Sequence, residues 1–407
     1  MRAYAARVIT ASMSRRAVTA LAAISIAAAC RCGGGAGPPP ESPCATPDET
    51  AALRLNQLQL VGSHNSYRRR TYQPIFDLIQ SFGPTAPEEI NADSWDYDHL
   101  PLAKQLTDFG MRALELDLFH DPAGGRFYER QGLRFVNEPT ASNLAKLNDP
   151  GMKVLHVPDF DYETHHLTFV SALREIASWS DAHPRHLPLF IQIESKASTV
   201  ADVLTNQGLT TAAPFDAAAA DALDTEILSV FARSRVITPD EVRGPHATLD
   251  EAVTTQGWPL VEACRGRVLF FMEGPAVAPY LTGAPGLAGR LIFAQSMPGD
   301  PHAAVVFSND PVGGTATIAD LAGRGYIVRT MADSSTVEAR SGDRARMNAA
   351  FAAGAHIVST DYYRPDPRGN MPGSGWSNYA VALPGGGPAR SNPVSASNGT
   401  TQVRICE

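Results

Sequence analysis

Eight short apolar runs, separated by amphipathic or irregular stretches, constrain this chain more than any other feature. They are Leu58–Val61, Ala113–Phe119, Lys153–Val157, Leu189–Ile193, Val268–Met272, Leu291–Gln295, Tyr326–Arg329 and His356–Ser359. Most are near-continuous in Val, Ile, Leu and Phe. A strand with one wet face alternates, so unbroken runs indicate parallel strands buried on both faces. Between them, Thr168–His183 places Phe169, Leu173, Ile176 and Trp179 on one face at helical spacing. Ala217–Arg235 and Arg344–Ala353 read as further helices. Eight strand-then-helix units predict an α/β fold, a single (β/α)8 TIM barrel over residues 51–407. A doubly wound open sheet is the alternative. No Gly-x-Gly-x-x-Gly follows the first strand and no Walker-type loop is present, which counts against its nucleotide-binding versions.

The chain ahead of the barrel reads as export machinery. Residues 1–29 combine Arg15-Arg16 with a small, apolar run from Ala17 to Ala29, the pattern of a secretory signal peptide. Residues 30–50 are rich in Gly and Pro and read as a flexible linker. Cys30 directly after Ala28-Ala29 offers a lipid-anchoring site, so the expected location is secreted or on the cell envelope. Export implies an oxidising compartment. Cys44 and Cys406 flank the whole barrel, and a bridge between them is the preferred pairing. The formal net charge is −8, and residues 1–29 hold four arginines and no acid, so the remainder stands near −12. That balance argues against a nucleic-acid partner held through phosphates.

Chemistry concentrates where strands end, as it does in barrel enzymes. His64-Asn65 follows the first strand. Glu115 and Asp117 lie two apart in the second, so their side chains point the same way. Two carboxylates aimed into one spot repel unless a cation or proton lies between them. Metal ligation explains them best, and Asn65, Glu115, Asp117 and Glu194 form an all-oxygen set suited to Ca²⁺ or Mg²⁺ rather than zinc. His64 and His156 each sit at an expected strand exit and suit acid/base work on a phosphoester. Lys196, two beyond Glu194, faces the same mouth and can meet a phosphate oxygen. Arg329 can do the same or pair with Asp333 or Asp361. Asp361, past the last strand, can orient a histidine or a lysine.

In order along the chain, Gly62-Ser-His-Asn-Ser-Tyr67, Glu115-Leu-Asp117, Leu155-His-Val-Pro-Asp159, Phe190-Ile-Gln-Ile-Glu-Ser-Lys196 and Val358-Ser-Thr-Asp-Tyr362 resemble the bacterial calcium-dependent phosphoinositide phospholipase C family. The likeness runs from about residue 55 to 363. It implies a TIM barrel, His64 and His156 as catalytic residues, Asn65, Glu115, Asp117 and Glu194 as Ca²⁺ ligands, and Lys196 near the substrate phosphate. It also implies a phospholipid or other phosphodiester substrate met in transient contact with a membrane surface, by a monomer. Regulatory lipid-binding and EF-hand sequences are absent, and His156 is followed by Val-Pro-Asp rather than a Gly-led run, so the headgroup stays open. Two other functions stand beside this one. One is a glycerophosphodiester phosphodiesterase acting on soluble diesters. The other is a non-catalytic surface lipoprotein that binds a headgroup or glycan.

Overall fold

Strands assemble where the apolar runs lie, with one exception. The computed structural model describes residues 43–83, 90–255, 257–396 and 403–407. The expected signal peptide, Cys30 and most of the expected linker lie outside them. The strands are β1 (Leu58–Ser63), β2 (Ala113–Phe119), β3 (Lys153–Val154), β4 (Leu189–Lys196), β5 (Val268–Glu273), β6 (Ile292–Ala294), β7 (Val305–Phe307), β8 (Ile327–Met331), β9 (Ile357–Thr360), β10 (Ala389–Ser391) and β11 (Arg404–Ile405). Eight of them run in parallel in the order β6-β5-β4-β2-β1-β9-β8-β7. A parallel bridge from Gln295 to Val305 joins the two ends, which closes the sheet into the predicted barrel.

The exception is Lys153–Val157. Only Lys153 and Val154 form a strand, and it pairs antiparallel with Leu118 and Phe119, outside the barrel. The reason lies in register. β1 stops opposite Leu114, while β4 follows β2 all the way to Phe119. The far half of β2 therefore has an unpaired edge, and β3 supplies its hydrogen bonds. The barrel place belongs instead to β7, a three-residue run too short to show a period.

Burial follows the unbroken apolar pattern: every residue of β1, β2 and β9 is buried. Gly62 is required where β1 meets β2, because a Cβ there would sit 2.6 Å from Ala113 Cβ. The helix Phe169–Ala182 lies where its period places it, and Thr168 caps it by accepting from the Ser171 amide. A second apolar cluster, including Ile75, Ile79, Trp95, Phe127 and Phe160, is built by the connections after β1, β2 and β3.

The chain ends are tied together. β10 pairs with β1 and β11 with β10, and Cys44 is bonded to Cys406 as the flanking positions suggest. Residues 47–50, expected at the end of the linker, form a helical turn with a capping box from Thr46 and Glu49. The disulfide closes a span of 362 residues. Loop entropy then makes Cys406→Ser cost roughly 3–5 kcal/mol of stability. Thermal unfolding with and without reductant measures it: wild type in reductant should match the variant, and the variant should not respond to reductant.

Candidate active site

The turn after β1 is held from several sides. The His64 amide donates to the Thr360 carbonyl at 3.0 Å, and the Ser66 amide donates to the Glu115 carbonyl at 3.0 Å. The Glu115 amide in turn donates to Ser66 Oγ at 2.7 Å. Asn65 adopts φ 47°, a left-handed conformation that Asn tolerates better than most residues. His64 and Asn65 thereby leave the strand end on a fixed backbone.

Beneath them lie the carboxylates. Ligand atoms of Glu115, Asp117 and Glu194 all fall within 4.8 Å of one another. Asp117 and Glu194 are direct neighbours across the β2–β4 pairing. Lys196 Nζ lies 2.5 Å from Glu194 Oε1 and 3.2 Å from Asp117 Oδ2. Burial opposes the charge on Lys196, yet Asp117 and Glu194 raise its pKa. Burial pushes the Asp117 carboxyl far up, and Glu194 and Glu115 add to the push against Lys196.

Asn65 Oδ1 faces Asp117 Oδ1 at 2.9 Å, two acceptors in contact. Turning the amide over converts this into a hydrogen bond and leaves Oδ1 to accept from the Tyr97 hydroxyl. A shared cation removes the conflict without the turn, since ligand oxygens about that far apart suit Ca–O bonds of about 2.3–2.6 Å. The donor set is oxygen throughout, as a hard cation needs. Three carboxylates set against Lys196 and Arg329 leave one net negative charge. A divalent ion reverses it, and a phosphodiester monoanion then completes neutrality. The residues fit Ca²⁺.

Each histidine has its own buried carboxylate. His64 Nδ1 lies 2.8 Å from Asp361 Oδ1, and its Nε2 lies 3.6 Å from Glu115 Oε1. Burial works against the imidazolium, but Asp361 and Glu115 overcome it and hold the His64 pKa at about 10. His156 Nδ1 lies 2.6 Å from Asp161 Oδ2. There burial prevails over Asp161, and the His156 pKa falls below the usual histidine value. Asp161 also accepts from Arg68 Nε at 2.5 Å and from the Thr71 hydroxyl at 2.6 Å. In the metal-free protein at neutral pH, His64 is therefore charged and His156 neutral.

His64, Asn65, His156, Lys196 and Asp361 line one cleft of about 460 Å³. The histidines reach it by different routes. His64 leaves a barrel strand, whereas His156 comes from the excursion beyond β3 and is not at a barrel strand exit. Arg329 is not on the cleft wall. It lies below it, only 2 % exposed, with Nη2 donating to Glu115 Oε2 at 2.7 Å. The expected partners Asp333 and Asp361 are not the ones it takes. His356, just ahead of β9, accepts from the Val328 amide and pairs with the Asn56 carbonyl.

Three groups escape sequence reading. Asp161 and Arg68 support His156, and their only signals are a carboxylate five residues past the histidine and a run of three arginines. Glu273 ends β5 beside Glu194. Burial and the neighbouring Glu115 push its pKa to about 7. Its position at the end of Val268–Glu273 matches that of Glu194 in β4 and was a readable sign.

Asp161 also yields a pH prediction. Burial opposes its charge, but Arg68 and His156 hold its pKa down at about 2. A depressed carboxylate contributes stability above its unfolded pKa of about 3.9, and that contribution disappears as pH falls from about 4 to 2. Asp161→Asn should cost roughly 3 kcal/mol at pH 7, because it leaves the buried Arg68 uncompensated. The gap to wild type should narrow by about 2 kcal/mol toward pH 2. Urea unfolding across that range reads it, and a gap independent of pH would refute the assignment.

A Ca²⁺-dependent phosphatidylinositol-specific phospholipase C from Streptomyces antibioticus is 20% identical, with 77% of this chain and 96% of that chain covered and a TM-score of 0.46. A calcium-dependent phosphoinositol-specific phospholipase C from a Gram-negative Pseudomonas species is 15% identical, with 87% and 100% covered and a TM-score of 0.49. A form of the Pseudomonas protein described with myoinositol is 13% identical, with 77% and 92% covered and a TM-score of 0.46. No curated protein matches the chain. The family described as "Phosphoinositide phospholipase C, Ca2+-dependent" matches residues 53–393. On that match, which spans most of the sequence, the chain belongs to the Ca²⁺-dependent phosphoinositide phospholipase C family and is a phosphoric diester hydrolase.

Proposed function

We propose that the protein cleaves the glycerophosphodiester bond of phosphatidylinositol by attack of the inositol 2-hydroxyl on phosphorus. The observation that carries this reading is that two histidines, each backed by a buried carboxylate, share one cleft with Lys196 directly above an all-oxygen metal cluster.

Glu115, Asp117, Glu194 and Asn65 would hold Ca²⁺. The bound ion supplies Lewis-acid chemistry: it lowers the pKa of the attacking hydroxyl and offsets charge on the phosphate. His64, already cationic, donates from Nε2 to a phosphoryl oxygen as negative charge builds there. Asp361 fixes its ring by accepting from Nδ1. A cluster carboxylate takes the proton of the attacking hydroxyl. The new O–P bond forms as the bond to diacylglycerol breaks. His156 delivers a proton to the departing oxygen, and Asp161 stabilises the charged imidazole before transfer. The arriving phosphodiester anion favours that charged form. Lys196, held at the cleft by Asp117 and Glu194, would pair with the phosphate. A cyclic inositol phosphodiester is the first product.

The substrate's acyl chains exceed what the cleft holds, so the protein works against a membrane surface, as a monomer. Exposed Val203, Val312 and Val337 lie within three residues of cleft-lining Val200, Asn309 and Ser335, which suits that approach. Export is supported by the Cys44–Cys406 bond. Among the described residues no helix is long and apolar enough to cross a membrane. Anchoring at Cys30 concerns a residue outside those described.

The test is a substrate comparison with and without a calcium chelator. Phosphatidylinositol vesicles should yield a cyclic phosphodiester in calcium and nothing in chelator. Release of glycerol phosphate from soluble diesters, with vesicles untouched, would favour the glycerophosphodiesterase reading. Binding without turnover would favour a non-catalytic one.

A further inference from the structure

Arg329 is held beneath the cleft by four hydrogen bonds. Its Nη2 donates to Glu115 Oε2 at 2.7 Å and to Ser359 Oγ at 3.3 Å. Its Nε donates to Gln192 Oε1 at 3.1 Å, and its Nη1 donates to Asn309 Oδ1 at 2.7 Å. Gln192 is itself fixed, donating from Nε2 to Glu273 Oε1 at 2.7 Å. The side chain is buried, and the cleft lining includes Asn309 but not Arg329.

We propose that Arg329 is a positioning residue for the metal site, which restrains Glu115 to a single free oxygen and does not touch substrate. The argument is geometric. A guanidinium is a planar fork with fixed donor directions, and acceptors from β4, β9 and the loop after β7 determine its plane. The oxygen of Glu115 that it binds is therefore fixed in place. The other, Oε1, is left outside that fork, 3.6 Å from His64 Nε2. Ca²⁺ accepts carboxylates through one oxygen or two. A Glu115 held to one oxygen leaves coordination positions for the substrate.

Lysine keeps the charge of Arg329 but not the fork, so Arg329→Lys isolates geometry from electrostatics. The inference rests on Glu115 being a metal ligand, and the experiment separates the two claims. Calorimetric titration with CaCl₂ alone should show wild type binding and Arg329→Lys binding about 10–100-fold more weakly, the usual effect of losing such an outer contact. At saturating calcium the KM for the phosphodiester should stay within about twofold. The rise in melting temperature on adding calcium should be smaller in the variant than in wild type. Asn309→Ala, at an exposed position, should weaken calcium binding several-fold and serves if Arg329→Lys fails to fold. Unchanged calcium affinity with a raised KM would place Arg329 on the substrate and overturn the proposal. Unchanged affinity and KM would overturn it too. A wild type that binds no calcium would remove the metal site itself, and this inference with it.

Discussion

Replacing His64 with alanine should lower kcat by about 10²–10⁴-fold, the usual contribution of one acid/base group. His156→Ala should do the same. The two losses arise differently. His64 sits between Asp361 and Glu115 and carries a proton at rest, so its removal takes away a donor to the phosphoryl oxygen. His156 is neutral at rest and must gain a proton before giving it up. A substrate whose leaving group needs no proton, such as a nitrophenyl phosphodiester, should therefore rescue His156→Ala and leave His64→Ala slow. Equal rescue of both would refute the division of roles. The double variant should lose less than the product of the single effects, because groups serving one transition state are not additive. Circular dichroism separates lost chemistry from lost folding.

Asp117→Asn should abolish calcium-dependent hydrolysis while leaving the metal-free protein as stable as wild type, or more so. Burial pushes the Asp117 carboxyl far up, and Glu194 and Glu115 add to the push, so its charge is disfavoured without metal. Asparagine removes that disfavoured charge but presents a weaker ligand. In chelator the two proteins should melt alike. In calcium only wild type should gain: a ligand at 100 times its Kd adds about 2.7 kcal/mol to the folded state, a rise of several degrees. Chelator should remove wild-type hydrolysis and fresh calcium should restore it. A large melting deficit of Asp117→Asn in chelator would mean that the carboxylate holds the fold rather than a metal.

Both predictions rest on features that differ in how visible they were beforehand. Glu115 and Asp117 were legible because strand geometry alone puts residues two apart on one side. Glu194 was legible as a carboxylate ending an apolar run, and β2–β4 pairing sets it opposite Asp117. Glu273 carried the same signal at the end of β5 and went unread. His156 was read correctly as a residue of the cleft but through the wrong element. The run Lys153–Val157 looks like a barrel strand, yet it lies on an edge that β1 leaves open.

The pairings were legible only in part: Asp361 was expected to orient a histidine or a lysine, but which one was open. Asp361 lies 297 residues from His64, and Arg329 lies 214 from Glu115. Asp333 and Asp361 were the mates expected of Arg329, and Glu115 is the one it takes. The choice depended on which side chains a closed barrel turns into one buried layer, where an unpaired charge is too costly to persist.

The residue pattern alone thus determined the barrel class, the strand ends where the candidate site residues lie and the oxygen-rich donor set, because each follows from local periodicity and residue type. Only the tertiary structure decided which strand completes the ring, which histidine is charged and what Arg329 holds. Those depend on register, burial and low-dielectric pairing between segments far apart in the chain, and such terms have no local signature.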